Sequence, residues 1–158
     1  MTDMNKSISE KKIEQMIDAA LKARKLAYTP YSHYMVGAAL LVCDGTENNK
    51  IITGCNIENA AYSPGNCAER TAIFKAVSEG CRDMLAIAIV AGNEAMTDED
   101  IAAADTYVSP CGMCRQVLRE FVNPAEFVVI MAKSKTDYRK MTLEELFPYG
   151  FGPEYIKY

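Results

Sequence analysis

The stretch NCAERTAIFKAVSEG, residues 66–80, and the stretch LAIAIVA, residues 85–91, together indicate the fold of this chain. The first predicts a helix over residues 67–79 that is closed by Gly80, because glycine readily adopts the backbone conformation that ends a helix. The second is a continuous apolar run, short enough to be a buried strand. A helix followed directly by a buried strand is typical of α/β proteins.

The rest of the chain continues this alternation. Further helices are predicted at residues 8–27, 112–121 and 142–145, and further strands at 35–43, 50–56 and 127–132, with a short extended piece at 106–108. Ser7 and Glu10 predict a capping box at the first helix. Arg24 is expected to lay its stem along the apolar face of that helix and keep its charged head in water. The predicted class is α/β, with helices on the faces of a mixed sheet, in a single domain over residues 1–158.

The overall charge favours a small substrate over long nucleic acid. The 158 residues carry a net charge of -4 with a sequence pI near 5.1, whereas proteins that bind nucleic acid usually present a basic face. The sequence has no run of about 18 apolar residues, so no membrane span is predicted. Because the first residues, MTDMNKSISEKK, lack the apolar segment of a signal peptide, a cytoplasmic location is expected.

Three of the six cysteines are candidate metal ligands. Without a signal peptide, metal binding or catalysis is favoured over disulfides. Cys67 opens one predicted helix, and Cys111 and Cys114 open another. The unpaired amides and the dipole at a helix start favour the thiolate, which is the form that binds metal. Three thiolates from two facing helix starts would suit Zn²⁺ with a fourth position open for water.

Glu69 is interpreted as a proton shuttle and not as a ligand. A water bound to zinc loses a proton near neutral pH and becomes a hydroxide nucleophile. Its attack on an aromatic amidine carbon also needs protons on the ring nitrogen and on the leaving amine, which a nearby carboxylic acid can deliver. Zinc nucleobase deaminases use this arrangement. Three thiolates leave a net negative site, and either Arg70 or Arg115 could offset it by donating to a thiolate.

Two other interpretations of the cysteines stay open at this point. Cys55, near the end of a predicted strand, could complete a closed four-cysteine zinc site that has a structural role only. Cys111 and Cys114 could form a redox dithiol, although this leaves Cys67 and Glu69 without a role.

Five motifs resemble those of the cytidine deaminase family, of its small three-cysteine homotetrameric type. They are PYSHYMVGAAL at 30–40, GCNIENAAYS at 54–63, NCAERTAIFKAVSEG at 66–80, SPCGMCRQVL at 109–118 and ELFPYGF at 145–151. The resemblance implies a three-layer α/β/α sandwich with a mixed five-stranded sheet. It also implies zinc-dependent hydrolysis of cytidine and 2′-deoxycytidine to uridine and 2′-deoxyuridine plus ammonia, in pyrimidine salvage. A homotetramer with active sites near subunit interfaces is implied as well.

The resemblance assigns roles around the metal. The three cysteines at 67, 111 and 114 would hold one Zn²⁺ per subunit, and zinc-bound hydroxide would attack C4 of the base with Glu69 as the proton shuttle. Ala68 would contact the base through its backbone. Arg70 would hydrogen-bond to the zinc thiolates.

The resemblance also assigns the outer wall of the pocket. Asn56 and Glu58 would bind the ribose hydroxyls, although residue type alone is equally consistent with turn formation. Tyr34 stands where the family usually has a phenylalanine that packs on the base; alternatively it is a half-buried tyrosine at the start of a strand. Phe151 matches an aromatic that the family supplies from a neighbouring subunit, with local packing of the C-terminal tail as the alternative.

Other functions fit parts of the sequence. An editor of RNA or single-stranded DNA would need a basic groove lined with aromatics. A zinc-stabilised binding module would use the metal without catalysis. A deaminase of blasticidin S shares the zinc motifs but lacks the full NIENAAYS pattern. Residues 92–105 form a longer stretch than the family has, and they are expected to be a surface insertion that does not touch the zinc ligands.

Overall fold

The computed structural model describes residues 8–46, 49–61 and 63–156. Its helices are α1 (Glu10–Arg24), α2 (Ala68–Ser78), α3 (Asp98–Ala102), α4 (Gly112–Phe121) and α5 (Leu143–Leu146), followed by a short 3-10 helix at Pro153–Tyr155. Its strands are β1 (Tyr34–Val42), β2 (Lys50–Cys55), β3 (Met84–Asn93), β4 (Val128–Ala132) and β5 (Tyr138–Thr142). Within this part of the chain, no helix has the length and apolar character needed to cross a membrane.

The strands form one mixed sheet in the order β2-β1-β3-β4-β5. β1 lies at the centre of an antiparallel trio, paired with β2 on one side and β3 on the other. β3 and β4 are parallel, and β5 closes the far edge antiparallel to β4. The five-stranded mixed sheet is therefore confirmed.

Helices cover both faces of the sheet, because the strands are apolar on both sides. Alternate side chains of a strand point to opposite faces. On one face, Ala39 and Leu41 of β1 and Ala88 of β3 join the buried residues of α1 in one apolar cluster. On the other face, Leu40 and Ile87 belong to a second cluster that holds Ala72 and Ile73 of α2, Leu118 of α4 and Leu143 of α5. The three-layer α/β/α sandwich is confirmed.

The fifth strand lies elsewhere than the sequence suggested. Residues 106–108 form no strand, and the edge of the sheet is β5, with the sequence YRKMT. Arg139 and Lys140 are exposed on this strand, so it lacks the apolar run by which the other strands were recognised. A polar edge strand of this kind resists pairing with other chains.

Residues 92–105 are built into the fold and are more than a surface excursion. β3 extends through Asn93, and α3 begins with a capping box formed by Thr97 and Asp100. Ile101 is buried in the cluster beneath α1. Lys133 Nζ donates to the carbonyl of Ala104 at 2.9 Å, which ties the end of this stretch to the sheet.

The expectation for Arg24 was wrong. Its side chain is 2% exposed, and Nη2 donates to the carbonyls of Gly92 at 3.2 Å and Asn93 at 2.5 Å. The last turn of α1 is thereby attached to the end of β3. Burial lowers the pKa of the Arg24 guanidinium.

The start of α1 also differs from the predicted one. The helix begins at Glu10 after Ser9, whose side chain accepts a hydrogen bond from the amide of Lys12. Ser7, the predicted cap, lies outside the described residues. The predicted end of α2 is confirmed, since Gly80 follows the helix with a φ of 85°.

Gly54 of β2 lets α2 approach the sheet closely. A Cβ at this position would lie 2.4 Å from the carbonyl oxygen of Ala68 and 2.5 Å from the amide nitrogen of Ala72. Both atoms belong to the helix backbone and cannot move alone. The absence of a side chain at Gly54 therefore allows the first turns of α2 to pack at a short distance from the sheet.

Gly54→Ala is expected to lower the free energy of unfolding by about 1–3 kcal/mol, because the added methyl overpacks a backbone contact. Urea denaturation measures this. Gly112→Ala is the matched control, because Gly112 is helical and the space around its Cβ position is open. This substitution is expected to raise the free energy of unfolding by less than about 1 kcal/mol. Equal effects of the two substitutions would contradict the close contact at Gly54.

Candidate metal centre

Two helix starts bring three thiols together. Cys67 is the N-cap of α2 and Cys111 is the N-cap of α4, with Cys114 in the first turn of α4. The Sγ atoms of Cys67 and Cys111 are 3.9 Å apart, those of Cys111 and Cys114 are 3.5 Å apart, and all three lie within 4.8 Å of one another. Three sulfurs at these separations can ligate one metal ion, as the sequence predicted.

The cluster has an open side. Among the described residues, the group of potential ligands that lie within 4.8 Å of one another consists of these three thiols only. Cys55, at the end of β2, is not a member, which argues against the closed four-cysteine site. A three-ligand set is the form that leaves a position for water or substrate on a catalytic zinc.

The thiols of the cluster differ in their tendency to ionise. The pKa of Cys67 is lowered by the neighbouring Cys114 thiol and then by Arg70, which together outweigh the effect of burial. Cys114 is fully buried, and the pKa of its thiol is raised by Cys67 and by that burial. Arg70 therefore favours the thiolate form at the Cys67 side of the cluster.

Arg70, and not Arg115, is the cation at the thiols. Arg70 Nη2 lies 3.8 Å from the Sγ of Cys67. The guanidinium of Arg115 is used otherwise: it donates to the carbonyls of Pro110 at 2.8 Å and Leu146 at 2.7 Å, and to Ser109 Oγ at 3.0 Å. Arg115 thus shapes the loop that leads into Cys111 and ties it to the end of α5.

Glu69 is a buried carboxylic acid beside the cluster. It is in the first turn of α2 and 4% exposed. Burial is the main cause that raises the pKa of Glu69. The charge of Cys67 raises this pKa further, whereas a hydrogen bond with Cys114 opposes the rise. A carboxyl group whose pKa is moved toward neutrality is suited to accept and return a proton. Ala68, the residue before it, is fully buried at the first position of α2.

The side chains of Asn56 and Glu58 both hold the backbone at the start of β1 and in the segment before it. Asn56 Nδ2 donates to the carbonyl of Tyr34 at 2.8 Å, and its Oδ1 accepts from the amide of Val36 at 2.8 Å. Glu58 Oε2 accepts from the amides of Tyr31 and Ser32 at 2.9 and 3.2 Å. These bonds lower the pKa of Glu58, so it is a carboxylate with one oxygen already engaged.

This backbone role was missed in the sequence. An Asn directly after a strand was the available signal, but its partners on β1 are about twenty residues away along the chain.

Tyr34 and Phe151 are exposed aromatics at different places. Tyr34 is the first residue of β1 and 40% exposed, and burial of part of the ring raises the pKa of its hydroxyl. Phe151 lies in the tail after α5, 56% exposed, with its ring stacked on Tyr155 at a centroid distance of 5.5 Å.

Comparisons with known proteins agree with this geometry. The family model described as the cytidine and deoxycytidylate deaminase zinc-binding region matches residues 10–131. A cytidine deaminase of Sporosarcina psychrophila is 47% identical over 146 residues, which span 92% of this chain and 96% of that protein. One of Halalkalibacterium halodurans is 45% identical over 141 residues, 89% of this chain and 95% of that protein.

A solved structure extends the similarity to the fold. The crystal structure of a cytidine deaminase from Burkholderia pseudomallei matches with a TM-score of 0.72 and 38% identity, covering 87% of this chain and 97% of that chain. A blasticidin-S deaminase of Bacillus cereus is also similar, at 34% identity over 142 residues, 90% of this chain and 93% of that protein.

An α/β/α sandwich that gathers three thiols and a buried carboxylic acid at two helix starts belongs to the class of zinc-dependent hydrolases. The match over most of the chain makes this specific: the chain belongs to the cytidine and deoxycytidylate deaminase family. The predicted enzyme class and the Zn²⁺ cofactor are confirmed with it.

Proposed function

We propose that this protein hydrolyses free cytidine and 2′-deoxycytidine to uridine and 2′-deoxyuridine, releasing ammonia, as a step of pyrimidine salvage. The observation that carries the proposal is the open cluster of three thiols with buried Glu69 beside it. Cys67, Cys111 and Cys114 would hold one Zn²⁺ per subunit. An ion held there would lower the pKa of a water toward 7 and so supply the nucleophile for C4 of the base.

Glu69 moves the protons of the reaction. Its raised pKa lets the carboxylate take the proton of the attacking water, give it to N3 of the ring, and later assist protonation of the amino group that leaves as ammonia. The base gains one water and loses one ammonia, so one proton of the water stays on N3 and the other leaves with the ammonia. Arg70 offsets the negative charge of the thiolates through its contact with Cys67.

The nucleoside would be oriented by groups around the cluster. Asn56 and Glu58 bind the ribose hydroxyls, Glu58 through the carboxylate oxygen that does not hold Tyr31 and Ser32. The backbone of Ala68 contacts the base, Tyr34 packs on it, and Phe151 reaches the site of a neighbouring subunit. The hydrogen bonds of Asn56 and Glu58 support a fixed position for Tyr34, because they hold the backbone at the start of β1 and just before it.

The proposal is tested by incubating the zinc-replete protein with cytidine and following the ultraviolet shift to uridine, with and without a zinc chelator. Parallel reactions contain a cytidine-bearing single-stranded oligonucleotide and blasticidin S. Conversion of cytidine that the chelator abolishes is expected. Turnover of the oligonucleotide or of blasticidin S alone would reassign the substrate, and no turnover of any of them would favour a zinc-stabilised binding module.

We also propose that residues 1–158 act as one cytoplasmic domain that assembles as a homotetramer with active sites near subunit interfaces. Several large apolar side chains are exposed on the described surface and could be covered by other copies: Tyr28, Tyr31, Phe74, Tyr149 and Phe151. Sedimentation velocity of the purified protein tests the assembly. A monomer at micromolar concentration would contradict it.

Arg70→Ala is expected to weaken Zn²⁺ binding by about 10- to 100-fold, because a group that orients and neutralises a ligand is lost. Competition with a chromophoric chelator measures the affinity. Arg82→Ala, which removes an exposed arginine elsewhere, is the matched control for net charge. Unchanged zinc affinity in Arg70→Ala would show that the 3.8 Å contact with Cys67 has no such role.

A further inference from the structure

The tail after α5 is attached to the helix that carries two of the thiols. Gln116 Nε2 donates to the carbonyl of Phe151 at 2.9 Å, and the guanidinium of Arg119 forms an ion pair with the carboxylate of Glu154. Gln116 and Arg119 are three residues apart on α4 and therefore share one face of the helix. One face of α4 thus holds the tail at two points, once through the backbone of Phe151 and once through the side chain of Glu154.

The ion pair closes over a glycine. A Cβ at Gly152 would lie 2.6 Å from Cζ of Arg119 and 2.5 Å from Oε2 of Glu154, so the two charged groups meet directly against this glycine. The side chain of Arg119 is 13% exposed, whereas that of Glu154 is 50% exposed. The guanidinium is therefore largely covered, whereas the carboxylate still reaches solvent.

The side chains of the tail contrast with its fixed backbone. Phe151 and Tyr155 are 56% and 63% exposed, and their rings stack on each other with an interplanar angle of 17°. A segment whose backbone is held and whose aromatic faces are exposed is arranged to present those faces to another molecule. Packing onto its own subunit would bury them.

We propose that Gln116 and Arg119 are positioning residues, which hold the tail so that Phe151 is placed for a nucleoside bound in a second copy of this chain. The inference rests on the proposed function, in which Phe151 serves a neighbouring subunit. Helix α4 would then carry two zinc ligands of its own subunit and also hold an aromatic residue for the active site of a neighbouring subunit. Because Phe151 would contact the base and not the reacting atoms, loss of its placement raises KM and leaves kcat nearly unchanged.

The attachment can be observed apart from activity. The chain contains no tryptophan, so Tyr155→Trp introduces a single tryptophan into the tail, whose emission can be excited selectively over that of the tyrosines. In this background Arg119→Glu places two like charges together and is expected to raise the acrylamide quenching constant about twofold. Adding Glu154→Arg restores the pair with its charges exchanged and is expected to return quenching to the starting value. Gln116→Ala tests the second contact without a change in charge.

Kinetics on cytidine then connect the attachment to the site. Phe151→Ala is expected to raise KM by roughly 5- to 100-fold, the range for loss of one base–aromatic stacking contact. Arg119→Glu is expected to raise KM by about 3- to 10-fold with kcat within about twofold, and the charge exchange to restore it. Lys50 of β2 and Glu79 after α2 form an ion pair that includes neither α4 nor the tail. Lys50→Glu, alone or combined with Glu79→Lys, is therefore the control and is expected to change neither quenching nor KM.

Three results would overturn the inference, in distinguishable ways. Unchanged quenching in Arg119→Glu would show that the ion pair does not hold the tail. Raised quenching and raised KM that the charge exchange fails to restore would indicate general disruption and not loss of placement. If Arg119→Glu raised quenching but Phe151→Ala kept a normal KM for cytidine, the tail would be held as proposed while Phe151 had no role in binding the nucleoside. The deaminase activity itself would be unaffected by that result.

Discussion

Glu69→Gln is expected to lower kcat for cytidine by about 10²- to 10⁴-fold, the usual contribution of a positioned general acid–base group. The amide has nearly the shape of the carboxylic acid and fits the same buried position, but it cannot take the proton of the attacking water. Because Glu69 is not one of the three clustered ligands, zinc content is expected to stay at one ion per chain. Steady-state kinetics and metal analysis of the same preparation measure both quantities.

Glu120→Gln is the control for this substitution. Glu120 is exposed on α4, so the same chemical change there is expected to leave kcat unaltered. If Glu69→Gln turned over cytidine at nearly the wild-type rate with zinc bound, another group would have to move the protons. The assignment of the shuttle would then be wrong even though the metal centre were right.

Cys114→Ser is expected to abolish stoichiometric zinc binding and reduce turnover to background. Cys114 is fully buried and contributes one of three sulfurs, and a hydroxyl there is a far poorer ligand than a thiolate. A ligand at a hundredfold excess over its Kd stabilises a folded protein by about 2.7 kcal/mol. Thermal unfolding with added zinc is therefore expected to shift upward for the wild type and to stay in place for the variant.

Cys43→Ser provides the comparison, since Cys43 follows β1 and is not part of the thiol cluster. It is expected to keep both the zinc-dependent shift in unfolding and the activity. Full zinc content in Cys114→Ser would mean that two thiols and some other group hold the metal. Loss of both properties in Cys43→Ser would mean that cysteine substitution itself perturbs the fold.

The parts of this molecule that could be predicted are those with local signals. Cys67 and Cys111 were recognised because each comes directly before a helix, and helix starts are marked in sequence. β3 was recognised because both of its faces are buried, which makes it a continuous apolar run. The edge strand β5 has no such run, and its pairing with β4 depends on a neighbour that local sequence does not reveal.

The parts that could not be predicted depend on contacts between distant residues. Arg24 can be buried because its guanidinium donates to two carbonyls at the end of β3. Those carbonyls belong to residues that are 68 and 69 positions further along the sequence. Asn56 could be recognised as a candidate for sugar binding, but not as the residue that binds the backbone of β1 on both sides of Met35. Polar side chains that serve distant backbone leave no periodic pattern in sequence.

The parallel pairing of β3 with β4 bears on the order in which this chain folds. β1 and β2 are neighbours in sequence and are expected to pair early, whereas the parallel strands β3 and β4 need a crossover, which here contains α3 and α4. Cys67 precedes that crossover, and Cys111 lies within it. The complete thiol cluster therefore forms only when the crossover has docked. Zinc is then expected to slow unfolding without speeding folding, so that its supply governs the lifetime of the folded chain more than the rate of its formation.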